Sequence, residues 1–342
     1  MNVIDINRLL PRTLASETSR GNFLRATAAA AGFLALRRPA QAAGLVIEGK
    51  GDWLFPAWES LTDPGTPGIA TSVRTIEAAQ RTLRAGGIEL LALVVPLKAR
   101  FYPDRLPDGV ALSPEVARRY DAIVAALSAA GVHTFDVNAI MKTVTQPAFF
   151  RTDYHWTEWS SEAVAQACAA QVQSIVKLPP ATEKLPPLSA FSQDKHVGDL
   201  VELLPPARQK AIGDEPITIR TIDASRTQLL DSSNSDVHVV GNSFSMPYLG
   251  FPEMLAETLG RPVGVTAKFG NAGPWQTMVQ YLESAVFTKR RPKIIVWQFV
   301  EGLFMHGPSS SGFWDIASLM SEQTFLGRVA KAVPPAPGGA TG

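Results

Sequence analysis

Apolar residues along the chain switch between two periods. "TSVRTIEAAQRTLRAGG" (71–87) has apolar positions three and four apart and ends on two glycines, which predicts an amphipathic helix. "IELLALVVPLKARFY" (88–102) opens with an apolar run of strand length that Pro96 ends. "SPEVARRYDAIVAALSAAGV" (113–132) reads as helix, with Ser113 as N-cap and Pro114 in the first turn. "HTFDVNAIM" (133–141) fits a strand followed by a turn, and "TEWSSEAVAQACAAQVQSIV" (157–176) a long helix with Thr157 as cap. Residues 178–235 are rich in Pro, Ser and Asp and read as an irregular insertion. Beyond it, "VHVVGNSFS" (237–245) is a buried strand running into a turn, and "PEMLAETLG" (252–260) a short helix closed by Gly260. "PVGVTAKFG" (262–270) is strand-like, "TMVQYLESAVFTK" (277–289) helical, and "PKIIVWQFV" (292–300) another apolar strand. The alternation βαβ…βαβαβ predicts an α/β fold with a mainly parallel sheet and helices on both faces. In such sheets ligands sit beyond the carboxyl ends of the strands.

The two ends depart from this pattern. "TSRGNFLRATAAAAGFLALRRPAQAAG" (18–44) runs from basic residues to an apolar stretch, Ala26 to Leu36, and then to "AQA" at 40–42. That order predicts a secretory signal over residues 1–42, with the alternative of an N-terminal anchor, and so a periplasmic protein. "SRGNFLR" is similar to a twin-arginine signal, with Gly21 in place of the second arginine. The domain is expected over 43–330 and a disordered Pro/Gly-rich tail over 331–342.

Composition narrows the chemistry. The 342 residues carry 32 basic and 31 acidic side chains, a net charge of +1, so no polyanion footprint is present and nucleic acid is not an expected partner. The single cysteine, Cys168, lies on a helical pattern and reads as a buried apolar residue. No paired-histidine zinc motif or glycine-rich phosphate loop follows a strand, so neither a metal nor a nucleotide cofactor is expected. His133, His196, His238 and His306 carry no motif, and His238 is expected to be packed.

Two stretches can carry chemistry. "RTDYHWTEWS" (151–160) sets Asp153 and His155 two apart, and "VVGNSFSMP" (239–247) puts Ser243 on a turn after a strand. Serine becomes a nucleophile only beside a base, and the base needs an orienting group. In extended chain, residues two apart point the same way, so Asp153 can orient His155. For the oxyanion, the Ser243 N–H and Gly270 and Asn271 in "KFGNAGPW" are candidate donors. Tyr154, Trp156, Trp159 and Trp275 are candidates for packing a sugar face. The alternative for Trp156 and Trp159 is core packing. Tyr102 and Lys98 follow a strand end and are candidates for lining the cleft, and the alternative for Lys98, as for Arg100, is a solvated charge.

The blocks "GDWLF" (51–55), "VPLKARFYPDRLP" (95–107), "FFRTDYHWTEWSSEAVAQA" (149–167), "VGNSFS" (240–245) and "PKIIVWQFVEGLF" (292–304) resemble, in order, those of the AlgJ/AlgX-type polysaccharide O-acetyltransferases. The resemblance implies an SGNH-hydrolase-like three-layer α/β/α domain and a triad mapping to Ser243, His155 and Asp153. It also implies an acetyl-serine intermediate, a polysaccharide acceptor and a membrane-bound acyltransferase as acetyl donor. Two positions depart from the family pattern: Asn242 stands where it has Asp, and Gly302 follows Glu301 where it has Arg. Two alternatives stay open: an acetyl esterase acting on glycans, and a glycan-binding scaffold without turnover.

Overall fold

The computed structural model describes residues 44–180, 185–188, 190–220, 230, 235–268 and 270–336. The expected leader lies outside the described residues, as do the last six residues of the tail. Among the described residues, no helix is long and apolar enough to cross a membrane.

The chain opens with an antiparallel pair, β1 (Val46–Glu48) and β2 (Leu54–Pro56), which the apolar pattern had not singled out. Helix α1 (Thr66–Ala85) leads into β3 (Glu89–Val95), and α2 (Pro114–Ala129) into β4 (His133–Thr134). The Ser113 hydroxyl accepts from the Val116 N–H, so the expected cap is formed. β4 is shorter than "HTFDVNAIM" predicts. Asp136 accepts from the Ala139 N–H and starts a helical turn, Val137–Lys142. After the long helix α3 (Glu158–Ile175), the segment expected to be irregular contains an antiparallel pair. This is β5 (Phe191–His196) and β6 (Glu215–Arg220), with His196 opposite Glu215. Then follow β7 (Val237–Gly241), α4 (Phe251–Leu259), β8 (Gly264–Ala267), α5 (Gly273–Leu282), β9 (Ile294–Val300) and α6 (Glu322–Ala332). The single helix expected over 277–289 is two, because Ser284 caps a new start at Phe287 N–H. Helix α6 was not anticipated; it includes Lys331 and Ala332 of the segment expected as tail, and Val333 beyond it is buried.

The central sheet has the order β4-β3-β9-β7-β8, and every pairing in it is parallel. Strand alternation builds two cores. Leu91, Leu93 and Val95 of β3 and Ile294, Val296 and Val300 of β9 face one core with α3 and α4, where Cys168 is fully buried. Leu90, Ala92, Val94, Ile295, Trp297 and Phe299 face the other, with α1, α2, α5 and α6. The result is the three-layer α/β/α arrangement that the resemblance implied. A fully buried sheet needs apolar residues on both faces, which is why β3 and β9 read as unbroken apolar runs.

Candidate active site

Ser243 sits one turn beyond the carboxyl end of β7. Asn242 accepts from the Phe244 N–H through Oδ1 (3.0 Å), which shapes the short turn Ser243–Ser245. Asn thus does the turn-forming work that the family's Asp would do. Gln298 on β9 braces the turn, since its Oε1 accepts from Ser245 Oγ (2.7 Å). A side chain at Gly241 would run into both groups, so the strand end needs glycine. The Ser243 N–H occupies the first position of the turn, where a backbone donor has no partner within the helix.

Asp153 and His155 lie on a bent excursion that closes where Phe149 pairs with Trp156. The extended geometry expected for Asp-x-His is absent. The two side chains meet because Asp153 Oδ1 accepts from both the His155 N–H (2.8 Å) and His155 Nδ1 (2.7 Å). A carboxylate only accepts, so Nδ1 carries the proton and Nε2 presents its lone pair. His155 Nε2 is buried and makes no hydrogen bond among the described residues, and none joins it to Ser243 Oγ. The Phe244 ring packs on the imidazole, centroids 4.7 Å apart, which ties the serine turn to the histidine loop.

Three groups at this centre escaped the sequence reading of the site. His196, at the end of β5, donates from Nε2 to Asp153 Oδ2 (2.8 Å). Asp199 donates its N–H to the same oxygen (3.2 Å) and accepts the Tyr154 N–H (2.7 Å). Glu215 on β6 accepts from the Arg151 N–H, the Thr152 N–H and Thr152 Oγ1 at 2.6–2.9 Å. All three come from the segment read as an irregular insertion, and no motif marks them.

Burial opposes charge here, and pairing decides which groups keep it. Desolvation would raise the Asp153 pKa, but the two imidazoles hold it well below the usual carboxylate range. Desolvation would lower His155, but the Asp153 charge and hydrogen bond raise it above 6.5; His196 is raised for the same reasons. Asp199 is pushed up to about 7, first by burial and then by the Asp153 charge. Ligand atoms of Asp153, His155 and Asp199 lie within 4.8 Å of one another, a spacing that a cation would accept. The Asp153–His155 hydrogen bond already occupies Nδ1, an arrangement suited to moving a proton.

A cleft of about 70 Å³ lies at the Ser243 turn beside Tyr154 and Asp199, with His155 and Asp153 outside its lining, room for a few waters or a small acyl group. Trp58, Tyr154, Asp199, Asn242, Ser243, Gly270 and Gln298 are among the residues lining it. Gly270, with a positive φ of 65°, faces the cleft as expected. Asn271 follows it but does not line the cleft, and its buried side-chain oxygen has no partner among the described residues. The aromatic candidates need correction. Trp156 is fully buried, stacks on Phe251 and donates to the Phe244 carbonyl, so it has no face for a sugar. Trp275 belongs to the other core, among Trp297, Phe299 and Phe325. The Tyr102 hydroxyl accepts from the Ala148 and Phe149 N–H groups and its ring packs at a tilt on Trp53, so it does not line the cleft. Trp159 packs on Phe191 of β5. Only Tyr154 remains at the cleft, with Trp58 edge-on beside it.

Lys98 neither lines the cleft nor faces solvent. It is fully buried, and its Nζ donates to the carbonyls of Leu54 (2.6 Å), Arg151 (2.9 Å) and Asp153 (2.9 Å). Arg100 and Arg119 both reach the buried Glu301 (2.6 and 3.1 Å). His238 is buried and stacked on Tyr281, as expected of a packed residue.

Comparison with known proteins agrees with this architecture. The family profile described as the SGNH hydrolase-like domain of acetyltransferase AlgX matches residues 46–301. The probable alginate O-acetylase AlgJ of Pseudomonas aeruginosa is 27% identical over 277 residues, covering 75% of this chain and 69% of AlgJ. The alginate biosynthesis protein AlgX of the same organism is 26% identical over 271 residues, covering 74% of this chain and 55% of AlgX. Among solved structures, the O-acetyltransferase domain of Pseudomonas putida AlgJ superposes with a TM-score of 0.65 at 25% identity, covering 84% of this chain and 99% of that domain. With the profile spanning both the Asp153–His155 loop and the Ser243 turn, the chain belongs to the AlgX-type family of SGNH hydrolase-like acetyltransferase domains.

Proposed function

We propose that this protein O-acetylates an exopolysaccharide through an acetyl ester on Ser243, with His155 as base and Asp153 as its orienting partner. His155 carries this reading: Nδ1 is held by Asp153, Nε2 makes no hydrogen bond among the described residues, and the ring packs on Phe244 of the serine turn. In the reaction Ser243 Oγ closes onto His155 Nε2, since catalytic hydrogen bonds often form only with substrate bound. Nε2 takes the hydroxyl proton as Oγ attacks the acetyl carbonyl. The oxyanion rests on the Ser243 N–H, with Gly270 and Asn271 opposite. Collapse returns the proton to the departing group and leaves acetyl-Ser243. A sugar hydroxyl then gives its proton to Nε2 and attacks the ester. The acetylated sugar leaves, and Oγ recovers its proton.

The acceptor class is supported by the relatives, AlgJ being named a probable alginate O-acetylase and AlgX an alginate biosynthesis protein. A membrane-bound acyltransferase is the proposed acetyl donor, and export through residues 1–42 to the periplasm the proposed route. The test is Ser243→Ala with an aryl acetate and an oligosaccharide. We expect turnover to fall by roughly 10³-fold or more with the circular dichroism unchanged. Mass spectrometry of the parent enzyme should show one added acetyl group on the Ser243 peptide. Retained turnover in Ser243→Ala would remove the serine from the mechanism.

A further inference from the structure

Asp153 serves more than His155. One oxygen accepts from the His155 backbone and ring, and the other accepts from His196 Nε2 at 2.8 Å. One imidazole is enough to use an orienting carboxylate, so the second calls for a reason. His196 is 4% exposed and lies directly opposite Glu215 in the β5–β6 register. Glu215 grips the backbone of Arg151 and Thr152 in the same loop. Both strands therefore close on the catalytic loop from paired positions, one on its backbone and the other on its carboxylate.

We propose that His196 is a positioning residue for acetyl transfer, holding one oxygen of Asp153 so that the other stays on His155 Nδ1. This rests on the Ser243–His155–Asp153 reading above. Two effects follow. With Oδ2 anchored, the carboxylate cannot rotate away from the imidazole. With its charge shared with the His196 imidazole, beside the Asp199 N–H on the same oxygen, Asp153 holds the His155 imidazolium less tightly, so more His155 is free base near neutral pH. The ionisable groups that bear on His196 are Asp153, Asp199 and His155. Glu202 is nearby, Glu215 lies across the strand pair, and Lys98 holds the Asp153 carbonyl from the far side. Removing His196 takes away a donor to Asp153, a neighbouring positive charge whenever His196 is protonated, and some burial. Each of these raises the His155 pKa, so the sign of the shift is determined.

The test measures kcat, KM and the pH profile of kcat/KM for an aryl acetate in three variants. His196→Ala should lose about 10- to 100-fold in kcat with KM within about threefold, and its lower pH limb should move upward. His196→Gln, which keeps an N–H donor, should recover most of the rate with a smaller upward shift. Ser243→Ala is the reference, and if it stays active the triad reading falls and this inference with it. If Ser243→Ala is dead while His196→Ala keeps its rate within about twofold and its limb unmoved, only this inference is overturned. Equal losses in the Ala and Gln variants with no limb shift would mark a purely structural residue and also overturn it. Should His196→Ala fail to fold, the limb of His196→Gln decides: displaced upward supports the role, unmoved overturns it.

Discussion

At Asp153 a buried carboxylate stays ionised because each of its oxygens has an imidazole on it. The signs of the three shifts oppose one another with pH. The depressed Asp153 contributes stability above the ordinary carboxylate range, lost as pH falls through its folded value. His155 and His196 are raised, so their contribution is complete below about 6.5 and is lost as pH rises through their folded values. Catalysis needs neutral His155, so activity should rise over the same interval in which this stabilisation fades. For kcat/KM we expect a lower limb above pH 6.5 in the parent enzyme. Asp153→Asn should cost about 10⁴-fold in kcat, because an amide N–H can face Nδ1 and favour the wrong tautomer. Its limb should move below the parent's, since burial then acts on His155 without the anion. A limb displaced upward in Asp153→Asn would contradict the assignment of that carboxylate.

At the scale of elements, β3, β7 and β9 were legible because a sheet covered on both faces needs runs of apolar residues, and the β7 run ends on Asn242 and Ser243 at the cleft. Helices α1 and α2 were legible from their spacing and caps. What was not legible depends on partners far away in sequence. The β5–β6 pair has few apolar residues and looks like loop, yet it supplies His196, Asp199 and Glu215 with the turn between them. Trp156 and Trp275 looked like sugar platforms because they stand near the catalytic residues in sequence, but the bridge to Phe149 turns Trp156 into one core and helix α5 turns Trp275 into the other. Gly302 is a further case. From sequence it is only a lost arginine, but a Cβ there would lie 2.8 Å from the Glu59 Cα, against backbone. Two guanidinium groups already reach the neighbouring Glu301 from Arg100 and Arg119. Gly302→Arg should therefore destabilise by about 1–3 kcal/mol through overpacking, with no gain in rate. Urea unfolding beside an esterase assay checks this, and unchanged stability with faster turnover would mean that the glycine is a functional loss.

Across the whole molecule, Lys98 joins parts that the sheet alone does not hold together. It follows β3, and its three donors reach the N-terminal strand pair at Leu54 and the catalytic loop at Arg151 and Asp153. Burial lowers its pKa to about 8, and the charges of Glu215, Asp153, Asp199 and Glu59 oppose that fall. A lysine just past a strand reads as a surface charge, and its burial appears only once three distant segments converge on it. The Trp53 and Phe55 rings flank its ammonium, each 5.4 Å from Nζ. Lys98→Met keeps the apolar stem and removes every donor: the Leu54 and Asp153 carbonyls lose their ammonium partner, while the Arg151 carbonyl keeps only the Leu54 N–H. We expect a loss of about 3–5 kcal/mol, because each buried acceptor left without a partner costs its desolvation. In a domain of this size that lowers Tm by roughly 5–8 °C. Turnover measured well below the lowered Tm should also fall, because the Asp153 carbonyl is one of the three anchors and the loop loses its fixed position. Lys98→Arg should not rescue either property, since a planar fork cannot place donors on three carbonyls arranged around one ammonium. Thermal melts and esterase rates of the two variants decide the matter: a Lys98→Met protein melting within about 2 °C of the parent, with its rate intact, would show that the catalytic loop is held by the β5–β6 pair alone.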